Sequence, residues 1–258
     1  FGIKIIIRPN SSPSGWSQNF LKRILFSKIL KLANLIVVNS LYFKKELKSK
    51  FNLSSKCIYN PLNHKEILKL SKKKIAFNFF KKNTINLISV GRLVEQKDHM
   101  TTLKAINNLK DRINIKLLII GEGDQKKKLF EYIYKNKLSK IIKIIDRTEN
   151  PYPYIKKAQV MILSSLYEGL PNVLLEALSL KKFIISSNCP TGPKEILDNG
   201  KNGFLFTVGD YLQLSQMILL YKNKKKLRIS MKRNSQKKLI RFDYKINLNK
   251  YFDLVKSL

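Results

Sequence analysis

The sequence predicts an α/β protein built on a doubly wound parallel sheet, and three observations predict it. From about residue 84, short apolar runs alternate with amphipathic stretches of roughly ten to fifteen residues. The apolar runs are rich in Ile, Leu and Val, as strands buried on both faces are. Gly91, Gly121, Gly123, Gly169 and Pro171 each stand just after one of these runs, where a strand must give way to a loop. Repeated β-α units of this kind close into a parallel sheet with helices on both faces.

In chain order, residues 1–60 form a smaller α/β unit. IKIII (3–7) reads as a strand, 17–33 as a helix, LIVVNS (35–40) as a strand and 41–50 as a helix. The chain opens on Phe1 with a strand pattern already under way, so 1–60 reads as the tail of a truncated first Rossmann-like domain. Residues 61–83 read as a linker, entered through IYNPLN (58–63) and left through the basic KKKIAFNFFKKN (72–83). The second domain spans 84–240. Its strands are INLISV (85–90), IKLLII (115–120), IIKII (141–145), VMIL (160–163) and FIIS (183–186). Helices are expected at 98–110, 125–138, 151–158 and 171–181. From about 210 the chain is helical and Lys-rich, and 241–258 reads as a final helix. No internal repeat is visible.

Composition narrows the class. With 258 residues and 44% hydrophobic content the chain can bury a sizeable core, which excludes wholesale disorder. The formal net charge is +34, yet Lys outnumbers Arg 43 to 8 and Ile and Asn abound, the bias of an AT-rich coding sequence. Nucleic-acid surfaces favour Arg with interleaved aromatics, so the charge reads as drift with attraction to an anionic membrane face, not as dedicated nucleic-acid binding. Cys57 and Cys189 form no CxxC, and His64 and His99 stand in no metal-ligand spacing. A reducing, cytoplasmic setting fits. No signal peptide is visible, and no apolar run approaches the roughly 18 residues that cross a bilayer.

Ligands of open α/β sheets bind beyond the carboxyl ends of the strands. The loop GRLVEQKD (91–98) puts Arg92 and Lys97 at that edge, with Asp98 placed to cap the following helix. Two cations beside a helix start suit a phosphate, although two solvated cations are an equally ordinary reading. The stretch SSLYEGLPNVLLEALSL (164–180) puts Glu168 before a helix whose first turn suits Pro171. Asn172, Glu176 and Ser179 share a narrow polar stripe that can face the same crevice, and the N–H groups of Asn172, Val173 and Leu174 favour an anion. Glu176 can accept from vicinal hydroxyls such as those of a ribose. Two Glu near a helix start also serve as plain dipole compensation.

Read together, SVGRLVEQKDH (89–99), LLIIGEGDQKKKL (117–129), NPYPYIKKAQVMILSS (150–165), Glu168-x7-Glu176 within SSLYEGLPNVLLEAL, and GPKEILDNGKNGFLF (192–206) resemble the retaining family 4 glycosyltransferases of the GT-B fold. The likeness runs from about residue 35 to the C-terminus, and SSNCPTGPKEIL (186–197) resembles enzymes that build bacterial surface glycans. The resemblance implies a hexosyltransferase that moves a sugar from a nucleotide-sugar donor, a UDP-sugar, to a glycan or lipid-linked acceptor with retention. It implies that Gly91, Arg92 and Lys97 hold the diphosphate, that Glu168 is the catalytic carboxylate beside the donor sugar, and that Glu176 takes the ribose. Gly169, Leu170, Pro171, Asn172 and Val173 would contact sugar and phosphate, and the loop 146–149 with Arg147 would reach the base. It implies no cofactor and no metal, in keeping with the lack of an Asp-x-Asp pair, and a cytoplasmic enzyme peripheral to the inner membrane face. The final helix would cross back to the first domain.

Asp146 departs from the glycine that the family often carries there, and the first domain's Gly-rich loop and any acceptor-side His lie outside this sequence. The chain therefore reads as a donor-binding half that largely lacks the other wall of its crevice. Two other classes stay open: another GT-B enzyme, such as a nucleotide-sugar epimerase or a phosphorylase, and a non-catalytic module that binds nucleotide sugar or nucleic acid.

Overall fold

The computed structural model describes residues 3–10 and 19–257; Phe1 and most of RPNSSPSGWS (8–17), a stretch expected to end the first domain near the crevice, lie outside the described residues. The chain forms two parallel sheets. The first has three strands, β1 (Ile6–Ile7), β2 (Leu35–Val38) and β3 (Lys56–Cys57), crossed by α1 (Phe20–Lys31) and α2 (Leu41–Phe51). Helix α3 (His64–Leu70) follows. The second sheet has six strands: β4 (Ile85–Val90), β5 (Ile115–Ile120), β6 (Ile142–Ile145), β7 (Val160–Leu163), β8 (Phe183–Ser187) and β9 (Phe204–Phe206). Between them run α4 (His99–Leu109), α5 (Lys126–Lys135), α6 (Tyr152–Lys157), α7 (Asn172–Ser179) and α8 (Gly192–Ile196). The chain ends in α9 (Tyr211–Asn223), α10 (Lys225–Lys238), a 3-10 turn at Leu239–Phe242 and α11 (Tyr244–Lys256).

The strand order of the second sheet, β6-β5-β4-β7-β8-β9, decides where a ligand can sit. The chain starts at the centre with β4, builds outward through β5 and β6, then returns to add β7, β8 and β9 on the other side. The loops after β4 and β7 therefore leave the same sheet edge in diverging directions and open a crevice between them.

Period-two alternation explains the layers. Leu87 packs in one layer with Leu103, Ile106, Leu129 and Leu214, and its neighbour Ile88 packs in the other with Ile67, Ile155, Leu174 and Ile196. Each aliphatic side chain fully buried in this way contributes roughly 1.5–3 kcal/mol. In the first sheet, Ile36 and Val38 meet Phe43 and Leu47 of α2, and Val37 faces the other way onto Ile58 and Leu254 of α11.

A single carboxylate fastens the two sheets. Glu195 in α8 is buried and accepts from the N–H groups of Leu41 (3.0 Å) and Tyr42 (3.3 Å) at the start of α2. It also accepts from the Tyr59 hydroxyl at 2.6 Å, and burial with this bond raises that phenol above its ordinary pKa. Arg241 donates to the backbone carbonyls of Glu195 and Ile196 at 2.5 and 3.2 Å.

Several expectations need correcting. The strand expected at 3–7 pairs only through Ile6 and Ile7; as an edge strand with one neighbour it leaves Ile3 and Ile5 exposed. The expected linker 61–83 carries α3, whose Ile67 is buried against the second sheet's layer. Strands β3 and β9, of two and three residues, and helix α8, of five, are too short for periodicity to reveal. Cys57 and Cys189 are both free, and burial pushes each thiol up to about 12.

Candidate functional site

After β4 the backbone turns through Gly91 to a 3-10 turn at Glu95–Lys97 and then into α4. Asp98 is the pivot. It takes the left-handed conformation (φ 42°) and accepts from Thr101 N–H (3.2 Å) and Thr101 Oγ1 (2.6 Å), capping α4 as expected. Gly91, expected to permit a tight turn, has no positive φ; the steric demand falls on Gly121, where a Cβ would stand 1.9 Å from the Gly91 carbonyl oxygen.

His99 anchors the loop from below. Its ring lies 3.2 Å from the Arg92 carbonyl through Nε2 and 3.4 Å from Ser89 Oγ through Nδ1. Burial lowers its pKa to about 4, so the imidazole is neutral at pH 7. An Nε2–H tautomer donates to Arg92 and accepts from Ser89.

The loop after β7 is stitched to this one. Leu166 N–H donates to Gln96 O (2.8 Å), and Gln96 Nε2 returns a bond to Tyr167 O (2.9 Å). Ser164 Oγ donates to Lys97 O at 3.0 Å. These bonds set Lys97 Nζ 2.5 Å from Glu168 Oε1, which also accepts from Ser165 Oγ at 2.6 Å. Glu168 is only 7% exposed, so the ammonium and the hydroxyl take the place of water at its Oε1. Thr191 Oγ1 donates to the Glu168 carbonyl at 2.6 Å. Beside it a Cβ on Gly169 would fall 1.9 Å from the Asn10 carbonyl oxygen, so only glycine lets the first sheet's segment approach this close.

These loops form one wall of a cleft of about 830 Å³. Gly91, Arg92, Lys97, Glu168, Gly169, Leu170, Pro171, Asn172 and Val173, all marked by the sequence, line it together. The other wall consists of Arg8, Asn10, Asn39, Asn60, Pro61 and Tyr251. Arg8 and Asn10 belong to the stretch 8–17 that the sequence places near the crevice, whereas Asn39, Asn60, Pro61 and Tyr251 were not singled out as site residues. Asn39 follows β2 directly and Asn60 follows β3 by three residues, at the carboxyl edge of the first sheet. Asn60 Nδ2 spans the cleft's edge to Asn172 Oδ1 (2.6 Å) and Leu170 O (3.2 Å).

The helix start differs from expectation in two details. Pro171 is the extended residue before α7 (ψ 106°), not part of its first turn. Leu174 N–H donates to Pro171 O at 3.1 Å, which removes one of the three donors expected to favour an anion.

Arg147 and Thr148 line an adjoining hollow of about 610 Å³ with Glu122, and this hollow shares Gly91 and Arg92 with the cleft. Asp146 pairs with Lys126 at its side. Glu176 lines neither space. Its carboxylate accepts from the Tyr152 hydroxyl, and burial raises its pKa; burial, and after it the neighbouring Glu176, pushes Tyr152 up to about 12. Ser179, expected on the same polar stripe, is fully buried. Glu176 and Ser179 therefore face the protein, while Asn172, the first residue of the stripe, lines the cleft.

The family model described as Glycosyl transferases group 1 matches residues 71–238. An uncharacterized glycosyltransferase of Methanocaldococcus jannaschii is 36% identical over 192 residues, which is 68% of this chain and 47% of that protein. From Campylobacter jejuni, N-acetylgalactosamine-N,N'-diacetylbacillosaminyl-diphospho-undecaprenol 4-alpha-N-acetylgalactosaminyltransferase is 27% identical, covering 93% of this chain and 66% of its own length. The chain therefore spans about half to two thirds of these curated relatives. In fold, Anabaena Alr3699/HepE, solved in complex with UDP and glucose, superposes with a TM-score of 0.82 at 19% identity, over 99% of this chain and 72% of that one.

Proposed function

The chain belongs to the glycosyl transferases group 1 family and has the GT-B fold, and from that premise we propose that it is the donor-binding portion of a retaining glycosyltransferase of family 4. The donor is a UDP-sugar and the acceptor a glycan or lipid-linked saccharide of bacterial surface polysaccharide synthesis. One observation carries this reading: at the switch point of the second sheet, Arg92, Lys97 and Glu168 converge on one cleft at the start of α7. The Campylobacter relative's printed diphospho-undecaprenol substrate supports the lipid-linked acceptor.

In the reaction the bond between the sugar's anomeric carbon and the diphosphate oxygen breaks, and a bond to an acceptor hydroxyl oxygen forms. The hydroxyl proton leaves with the diphosphate. Arg92 and Lys97 stabilise the negative charge that grows on the departing diphosphate, and they are already in place when it grows. Lys97 exchanges part of its hold on Glu168 for phosphate as donor enters. Glu168 is then left to orient the sugar's hydroxyls and to stabilise the positive charge that develops at the anomeric carbon. The hollow at Arg147 and Thr148 is the place for the base. For Glu176 to take the ribose, the nucleoside must displace the Tyr152 hydroxyl.

Calorimetric titration with UDP-, GDP- and ADP-sugars, each with and without a chelator, tests this. UDP-sugar binding unaffected by chelator supports the reading. Binding of none of the three, with RNA retained at high salt, would replace it by the charge-driven alternative. Release of an epimer without acceptor would favour an epimerase.

A further inference from the structure

Arg8 stands apart from the other cations of the cleft. It comes from the first sheet's wall, and no sequence motif marked it. Three of its N–H groups are fixed: Nε donates to the Tyr251 hydroxyl (2.5 Å), Nη1 to Asn10 Oδ1 (3.1 Å) and Nη2 to Asn60 Oδ1 (2.5 Å). All three acceptors are neutral. Among the described residues no carboxylate pairs with Arg8, whereas Lys97 across the cleft is paired with Glu168. The residues at 11–18 contain no Asp or Glu that could serve instead.

A guanidinium carries five N–H donors in a rigid fork, so two remain to Arg8 without an acceptor among the described residues. Holding a long side chain in one geometry costs conformational entropy. Three neutral partners, from residues 10, 60 and 251, orient the guanidinium and leave its charge unneutralised. Two adjacent donors on a pre-oriented cation instead match the paired oxygens of a phosphate.

We propose that Arg8 forms a second phosphate subsite on the first-sheet wall of the cleft, held in place by Tyr251, Asn10 and Asn60. The anion is a phosphate of the donor's diphosphate or a phosphate that links an acceptor sugar to its carrier. This inference rests on the nucleotide-sugar reading of the cleft, but the subsite itself requires only a phosphate. Because Asn60 also donates to Asn172 and Leu170, an anion on Arg8 is sensed at the start of α7.

The test uses the chain with Arg8→Gln and Tyr251→Phe, and inorganic diphosphate, UDP, uridine and farnesyl diphosphate as probes. Thermal unfolding of each variant confirms folding. Wild type is expected to bind inorganic diphosphate, and Arg8→Gln to weaken that binding at least about tenfold, the scale of a charge-assisted hydrogen bond. Tyr251→Phe, which keeps the ring and frees the guanidinium, weakens it less. Uridine binding is unchanged in both. A parallel loss for UDP assigns the subsite to the donor. A loss for farnesyl diphosphate with UDP binding intact assigns it to the acceptor. If wild type binds diphosphate through Arg8 but no nucleotide, the subsite stands and the nucleotide-sugar reading fails. Equal diphosphate binding by wild type and a folded Arg8→Gln overturns the subsite, as does failure of wild type to bind any phosphate probe.

Discussion

Arg92 and Glu168 are the residues on which the proposed chemistry turns. Arg92→Ala removes a fixed cation from the diphosphate, and Glu168→Gln removes the charge that holds Lys97 and faces the sugar. Each is expected to lower turnover at least tenfold, about 1.4 kcal/mol in the barrier, and steady-state rates equal to wild type for both would refute the assignment. His99 offers a pH signature. Its folded pKa of about 4 lies below the ordinary value of 6.5, so between these pH values the unfolded chain binds the extra proton. Stability contributed by the neutral His99 is therefore full above about pH 6.5 and is lost as the pH falls toward 4. The raised carboxyls of Asp98 and Glu176 act in the opposite sense. The melting temperature of wild type minus that of His99→Gln, followed from pH 7.5 to 4.5, is expected to shrink with acidity; a constant difference would show that His99 does not bury as a neutral ring.

At the scale of elements, the start of α2 depends on a carboxylate from α8. Glu195→Ala leaves two N–H groups and the Tyr59 hydroxyl without their acceptor. The expected cost is about 3 kcal/mol, or roughly 10 °C in melting temperature, read by circular dichroism; a change below about 2 °C would show that water takes over. This dependence was not legible in the sequence: GPKEIL (192–197) contains Glu195, but nothing local ties it to Leu41, 154 residues away. The central strands were legible for the opposite reason. β4, β5 and β7 are largely buried on both faces, so their sequences are predominantly apolar, and their bounds match those expected. Much of the cleft was legible too, since the loops after β4 and β7 carry charge where the sheet ends. Helical spacing gives Glu176 a stripe but not its partner; Tyr152, arriving from another crossover, holds that carboxylate, and no local pattern announces the pairing. Arg8 lies in a stretch placed near the crevice, but its pairing with Tyr251, 243 residues away, had no local signal.

For the molecule as a whole, charge is the dominant surface property. Net +34 gives the molecule a strongly positive overall field. Helix α1 adds exposed Phe20, Leu21 and Leu25 beside Lys22, Arg23 and Lys28. Among the described residues no helix is long and apolar enough to cross a membrane. Contact with an anionic bilayer is therefore expected to be electrostatic. The protein should sediment with phosphatidylglycerol vesicles at low salt, leave them at high salt, and ignore phosphatidylcholine; equal binding to both lipids would sink this expectation. The buried carboxylate between the sheets also bears on recombination among relatives. A hybrid that takes residues 41–59 from one parent and α8 from another separates Glu195 from the helix start and the phenol it serves. Breeding new specificities by exchanging halves will succeed when that trio is inherited together, wherever else the crossover falls.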